Sequence, residues 1–238
     1  MSVMNHIFQD LLDKFVIVYL DDILIYSKTM EEHTEHLKKI LMRLRQQKFY
    51  GKLSKCYFAV NEVEYLGHII SSNGISVDQE KVKAISEWPR PKNKRDVQSF
   101  LGLVNYYRRF IKSCSGIAKP LTLMTKNVTF SWNPSAEESF NLLKDVMKSA
   151  PVLKAFDPNR DIFVTTDASQ YAVGGVLEQK FDNEIHPIAY FSRTLNSAEQ
   201  NYAAHERELL GIVDALHVWH ISTVENFRFS LIIIPFDI

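Results

Sequence analysis

Phe15-Val-Ile-Val-Tyr-Leu-Asp-Asp-Ile-Leu-Ile-Tyr26 sets two aspartates, Asp21 and Asp22, between two strongly apolar runs. Each flank has the length and the β-branched or aromatic content of a buried strand, which predicts a hairpin with both carboxylates at its tip. Adjacent carboxylates repel each other unless a cation lies between them. Hard divalent cations such as Mg²⁺ take oxygen ligands and bridge to substrate phosphates, the arrangement used in two-metal phosphoryl transfer. The competing reading is an ordinary turn, where Asp is common. A turn this tight, without Gly or Asn and between runs too apolar for a solvated hairpin, favours the metal reading.

Around this hairpin the composition is that of a folded chain. Of 238 residues, 46% are hydrophobic and 24% charged, enough for one large domain or two small ones with a packed core. The cysteines, Cys56 and Cys114, are far apart and match no zinc spacing, which fits a reduced intracellular protein. No signal peptide or membrane span is legible, and the apolar stretch Leu231 to Ile234 is far too short to cross a bilayer. The formal net charge is zero, which is not the profile of a bulk nucleic-acid binder, but its distribution is uneven. Seven basic residues (Lys38, Lys39, Arg43, Arg45, Lys48, Lys52, Lys55) follow one another without an acidic one. A second cluster, Arg90 to Arg95, precedes Arg108, Arg109 and Lys112. Interleaved with Phe49, Tyr50 and Tyr57, such a stripe suits a phosphate backbone; a solvated helix face explains the charge pattern equally well.

The periodicity predicts an amphipathic helix from Glu31 to Lys48, with Leu37, Ile40, Leu41 and Leu44 inward and Gly51 placed to end it. Short strands are expected at Cys56–Val60 and Val63–Ile70, then a turn at Ser72-Asn-Gly74. Asp78 is placed to cap a short helix that Pro89 stops, and Asn93 to cap the next, whose buried stripe is Val97, Phe100, Leu101, Val104 and Tyr107. Ser135 with Glu138 reads as a capping box, opening a helix with Phe140, Leu143, Val146 and Met147 inward. Pro151 to Asp161 is the expected domain boundary. Beyond it come strands at Ile162–Thr166, Ala172–Gln179 and Ile185–Ser192, then a long helix that Ser197 and Gln200 open. Three strands and a helix predict an α/β domain on an antiparallel hairpin sheet. Phe229 to Ile238 is apolar without alternation and can supply at most a lone strand.

A second pair of acids, Asp167 at a strand end and Glu208 before Leu209-Leu-Gly-Ile-Val213, has the strand-and-helix placement of a metal site for phosphodiester hydrolysis. Taken alone this signal is weak, because helix glutamates near a core are usually rim residues.

Tyr19-Leu-Asp-Asp-Ile-Leu-Ile-Tyr-Ser27 closely resembles the polymerase motif of gypsy-type LTR-retrotransposon reverse transcriptases. The likeness continues in order. Tyr65-Leu-Gly-His-Ile-Ile70 looks like the primer-grip strand pair, and Phe100-Leu-Gly-Leu-Val-Asn-Tyr-Tyr-Arg-Arg-Phe110 like the thumb helix. Lys119-Pro-Leu-Thr122, Phe130-Ser-Trp132 and Ala150-Pro-Val-Leu153 follow at the family's places. Thr166-Asp-Ala-Ser169 with Gly174-Gly175, and Glu206-Arg-Glu-Leu-Leu210, resemble the attached ribonuclease H domain. The series covers about the first 220 residues.

The resemblance implies an α+β and α/β architecture: part of a palm (residues 1–78), thumb and connection helices (79–150), and a ribonuclease H-like mixed sheet (151–238). It implies Mg²⁺, or Mn²⁺ in its place, at Asp21 and Asp22 and at Asp167 and Glu208. Tyr19 and Leu20 would lie under the primer end, and Leu66, Gly67 and His68 would hold the primer strand. Lys38, Lys39, Arg43, Lys52, Lys55, Arg108 and Arg109 would meet the template–primer backbone. The implied partners are template–primer, RNA–DNA hybrid, dNTP and other Pol chains, in a cytoplasmic virus-like particle or the nucleus, with no membrane. The chain departs from the family at both ends. Nothing before Phe15 matches the fingers or the early strand with a third metal-binding Asp, and after Trp219 the Thr-Asp-His segment is replaced by an unrelated tail. Asp237 lies near the family's distance from Glu208, but its neighbours do not match and it receives no role. The expectation is therefore a truncated chain with under-ligated metals and negligible polymerase activity. A non-catalytic nucleic-acid binder, an unstable remnant and a domesticated interaction protein are the alternatives.

Overall fold

The computed structural model describes residues 3–126 and 129–220 and the backbone of 229–231. The chain divides into two compact units, Met1–Tyr65 and Leu66–Ile238.

The first unit contains α1 (Val3–Ile7), the antiparallel pair β1 (Val16–Tyr19) and β2 (Asp22–Ile25), α2 (Met30–Gln46) and β3 (Glu62–Tyr65). Phe8, Phe15, Val16 and Ile40 form its small core, with Leu11, Ile23 and Leu44 against it. The hairpin exists as its apolar flanks predict, but those flanks are only partly buried: Phe15 and Val16 lie in the core, whereas Ile17 is 40% and Tyr19 55% exposed. β-Branched composition selects a strand, whereas burial needs a partner on each face, and among the described residues this unit covers only one. Helix α2 is capped by the Thr29 side chain, which accepts from the Glu32 N–H. Its end is not set by Gly51. Phe49 N–H bonds the Leu44 carbonyl at 2.9 Å and Lys48 N–H the Arg45 carbonyl at 3.1 Å, with Lys48 at φ 59°. That is the helix-terminating bond pair normally built around glycine, closed here by a lysine. Residues 56–60 form no strand; Leu53–Lys55 is a 3-10 turn and all of 51–60 is exposed.

In the second unit β4 (His68–Ser71) and β5 (Gly74–Val77) form a hairpin closed by Ser72 and Asn73. The expected Val63–Ile70 strand is thus broken in its middle, at Leu66-Gly67, where both residues take positive φ. Helices α3 (Gln79–Ser86) and α4 (Lys94–Tyr106) begin where Asp78 and Asn93 cap them. Val97, Phe100, Leu101, Val104 and Tyr107 are all buried, as their spacing predicts. Then come α5 (Cys114–Lys126) and α6 (Pro134–Lys148). Pro120 interrupts α5 internally, and the Ile117 carbonyl in the preceding turn accepts the buried Ser139 hydroxyl of α6 at 2.5 Å. The cap of α6 is Asn133 rather than Ser135, because Pro134 is pre-set for the first helical position and Asn133 bonds the Ala136 N–H.

The sheet follows: β6 (Ile162–Ala168), β7 (Ala172–Phe181) and β8 (Glu184–Thr194) pair antiparallel in sequence order, and β9 (Phe229–Leu231) lies parallel to β6. Helix α7 (Ala204–Val218) packs on one face, around Val164, Val173, Leu177, Phe191 and Ala215. Ser197 does not open this helix. Asn196 instead caps a 3-10 turn at Glu199–Asn201, and α7 begins at Ala204, where the Glu206 carboxylate accepts the Ala203 N–H at 2.8 Å. The helices dock on the sheet through Ser115, whose N–H and hydroxyl bond the buried Ser192 hydroxyl and carbonyl, each at 2.8 Å. Asp237 and the rest of 232–238 lie outside the described residues. No helix among the described residues is long and apolar enough to cross a membrane.

Candidate functional site

Tyr19 and Asp22 are the closing pair of the first hairpin, which leaves Leu20 and Asp21 as its two-residue turn. Leu20 carries φ 54°, a conformation that suits Gly or Asn better and gives the tight reversal despite the sequence. Both carboxylates are exposed. The turn is braced from β3, where the Tyr65 hydroxyl donates to the Asp22 carbonyl at 3.3 Å. Burial, and then the Asp22 charge, push the Tyr65 phenol above its ordinary range.

Not every basic residue of the stripe is available to a ligand. The Arg43 guanidinium is held bidentate by Asp10 and also donates to the Ile7 carbonyl at 3.0 Å. That hydrogen-bonded pair holds the Asp10 carboxyl down at about 2. Arg43 therefore ties α2 to the end of α1. Lys38, Lys39, Lys52 and Lys55 are exposed, and Tyr50 and Tyr57 beside them are 89% and 74% exposed.

In the second unit the Leu66-Gly67 turn is met by α4: Tyr106 and Tyr107 donate their hydroxyls to the carbonyls of Leu66 and Gly67, at 2.5 and 2.9 Å. The His68 ring stacks on Tyr106 and Phe110 and meets Tyr107 edge-on, all at 5.4 Å between centroids. Its buried Nδ1 has no hydrogen-bond partner among the described residues. Burial first, and then the Arg109 charge, lower the His68 pKa. The unfolded chain therefore binds this proton more readily, and stability should fall as pH drops from about 6.5 toward the folded-state value. Thermal melts between pH 7 and pH 5 should show this loss in the wild type and less of it in His68→Phe; parallel curves would contradict it. Arg108 donates to the Ser192 carbonyl, joining the α4 end to β8, while Arg109 is exposed.

Asp167 and Glu208 lie on neighbouring elements, and both are exposed. Gly211 of α7 packs against Thr166, with its ideal Cβ position 3.7 Å from that side chain and 3.9 Å from the Asp167 carbonyl oxygen. Strand alternation turns the Asp167 side chain to the opposite face, at the end of β6. Glu208 stands one turn before Gly211. Helix α7 is anchored by Arg193 of β8, which bonds Asp214 at 2.7 Å and Glu199 at 2.8 and 3.0 Å. No sequence signal gave Arg193, or the hydroxyls of Tyr106 and Tyr107, these bonding roles, since each acts through a partner remote in sequence.

Among the described residues no group of three or more His, Cys, Asp or Glu side chains is gathered to hold a metal. The donors nonetheless fit a hard divalent ion. Asp21, Asp22, Asp167 and Glu208 are oxygen donors that make no ion pair among the described residues, whereas Glu206 is engaged as a cap.

Residues 1–70 match the model described as reverse transcriptase (RNA-dependent DNA polymerase), and 132–229 the RNase H-like domain found in reverse transcriptase. The Transposon Tf2-3 and Tf2-7 polyproteins of Schizosaccharomyces pombe (strain 972 / ATCC 24843) are each 36% identical over 229 residues. This chain belongs to the retrotransposon reverse transcriptases. It spans 17% of the length of those polyproteins, and the alignment covers 94% of the chain. The reverse transcriptase fold extends to the foamy viral protease-reverse transcriptase. Its complex with RNA/DNA hybrid superposes at a TM-score of 0.81 with 23% identity, over 96% of this chain and 31% of that one. Its dRH form in complex with double-stranded DNA gives 0.82 with 23% identity, over 96% and 40%. The polymerase and ribonuclease H families matched here depend on divalent metal. Asp21 and Asp22 fall in the first matched segment, and Asp167 and Glu208 in the second.

Proposed function

We propose that the chain binds template–primer duplex and RNA–DNA hybrid, and carries one pair of Mg²⁺-binding carboxylates for each reaction. The observation that carries this is the exposed Asp21-Asp22 pair at a two-residue turn with no basic partner among the described residues. Mg²⁺ bound there, or Mn²⁺ in its place, would supply charge neutralisation at the incoming triphosphate and activation of the primer hydroxyl. Tyr19 and Leu20 shape the floor of that turn, and Tyr65 fixes its backbone. Lys38, Lys39, Lys52 and Lys55 supply the phosphate contacts in the first unit, and Arg109 in the second. Arg43 and Arg108 act indirectly, by holding α2 and the end of α4.

Asp167 and Glu208 are the proposed hybrid-cleaving pair. To share one ion, the Asp167 carboxylate must come round the end of β6. The functional segments would be 1–78, 79–150 and 151–238, with dNTP and other Pol chains as further partners. Two carboxylates at each centre leave most positions of a six-coordinate ion to water and phosphate oxygens. The isolated chain should therefore bind nucleic acid far better than it turns it over.

The test is the salt dependence of duplex binding by the full chain. Log affinity should fall steeply with log salt, and Lys52→Ala with Lys55→Ala should reduce the slope by about one per lost phosphate contact. Salt-independent binding, or an unchanged slope in both variants, would contradict the proposal. Primer extension or hybrid cleavage that disappears in Asp21→Asn or Asp167→Asn respectively would assign the chemistry to its pair. Salt-dependent binding without either reaction would mark a non-catalytic binder.

A further inference from the structure

The two residues that lead into β4 are held in an unusual way. Leu66 (φ 52°) and Gly67 (φ 70°) are successive left-handed residues, the geometry of a type I′ turn. Asn-Gly is the usual choice there; a leucine rarely adopts that φ. Such a conformation persists where the surroundings over-determine it. Here they do. The carbonyls of both turn residues, which water would take in a free hairpin, receive the hydroxyls of Tyr106 and Tyr107, from 40 residues later in the chain. The ring of the next residue, His68, stacks on both Tyr106 and Phe110. A Cβ on Gly67 would stand 3.1 Å from the Tyr107 hydroxyl, so the glycine also permits the close approach.

We infer that Tyr106 and Tyr107 are positioning residues that lock the Leu66-Gly67 turn to the end of α4, so that a primer 3′ end meets turn and helix as one rigid surface. This rests on the reading of Leu66, Gly67 and His68 as primer contacts. The hydroxyls are not needed for packing, because phenylalanine keeps the rings and the burial. They are needed to fix the turn carbonyls, and hence the placement of the turn against Arg109, which lies just beyond the helix end. A turn that only joined two strands would need neither.

The experiment uses the full 238-residue chain and the variants Tyr106→Phe, Tyr107→Phe and their combination. Hydrogen exchange is followed across Leu66–Ser71. Fluorescence anisotropy compares a duplex with a recessed 3′ end against the same duplex closed at both ends by hairpins. In the double variant, exchange in Leu66–Ser71 should accelerate about tenfold, with α6 and β7 unchanged. Its preference for the recessed end should drop about fivefold, while affinity for the closed duplex stays within about twofold. Gly67→Ala leaves both tyrosines in place and should produce the same split, so a folding defect in the tyrosine variants does not decide the matter. Unchanged exchange in every variant overturns the lock. Faster exchange with end preference intact overturns the positioning role. A wild-type chain with no end preference also overturns it, and then faster exchange in the variants would place the failure in the primer reading rather than in the lock.

Discussion

Gly74→Ala should destabilise the second unit by more than about 3 kcal/mol. Gly74 has φ 133°, a region that side chains with a Cβ avoid. The space is closed as well: an added Cβ would stand 2.2 Å from the Leu153 carbonyl oxygen and 3.1 Å from a Val152 methyl. Backbone cannot yield there cheaply. Ile75 N–H bonds the Leu153 carbonyl at 2.7 Å and Leu153 N–H bonds the Ile75 carbonyl at 2.8 Å. Retreat of Leu153 would break both bonds and withdraw a side chain that is 4% exposed from the core. Denaturant unfolding checks this, with Gly102→Ala as the control. Gly102 is in the middle of α4 with nothing within 4 Å of its Cβ position, so alanine there should stabilise by roughly 0.5–1 kcal/mol. The same substitution at two glycines should thus act with opposite signs. A Gly74→Ala variant within about 1 kcal/mol of wild type would mean that the β5 contact with the 150–153 segment is not as described.

Phe100→Ala is expected to cost about 3–5 kcal/mol. Phe100 is fully buried where α4 meets α6 and the segment after α3, its ring 4.7 Å from Phe140 of α6 and 5.9 Å from Trp88 between centroids. Truncation leaves a cavity among large rings that cannot collapse to fill it. Tm should fall by roughly 10 °C, and Phe100→Leu, which retains most of the volume, should fall by much less. Equal small shifts for both would remove Phe100 from the centre of this core.

The helices around Phe100 were the most legible part of the chain. Their apolar positions recur with helical spacing, and Asp78 and Asn93 supply caps that depend on local chemistry alone. Where two local signals compete, the stronger backbone constraint prevails: Pro134 fixes the start of α6 and gives the cap to Asn133 rather than Ser135. At α7 the Ser197 signal lost to a chain of local bonds from Asn196, which spent the segment on a 3-10 turn before the helix began. The apolar run Val63–Ile70 hid a turn for a different reason. Leu66 does not favour a left-handed conformation, and the tyrosine hydroxyls that hold it come from α4. At the sites, Asp21 and Asp22 are readable in one dimension as an acidic pair between two apolar strands, whereas Asp167 and Glu208 are a weak signal alone and stand out only through the ordered resemblance around them. The bracing groups, Tyr65 at the Asp22 turn, Arg193 beneath α7, and Tyr106 and Tyr107 at the Leu66-Gly67 turn, are not readable, since a hydroxyl or guanidinium shows its purpose only once a distant backbone or carboxylate is beside it. The diversion of Arg43 to Asp10 was invisible for the same reason.

Mn²⁺ titration of the full chain with template–primer, followed by electron paramagnetic resonance, tests most directly whether Asp21 and Asp22 hold a divalent ion. The Asp21→Asn/Asp22→Asn double variant should lose one class of bound Mn²⁺ and keep the class removed by Asp167→Asn/Glu208→Gln. Unchanged Mn²⁺ stoichiometry and affinity in the Asp21→Asn/Asp22→Asn variant would contradict it.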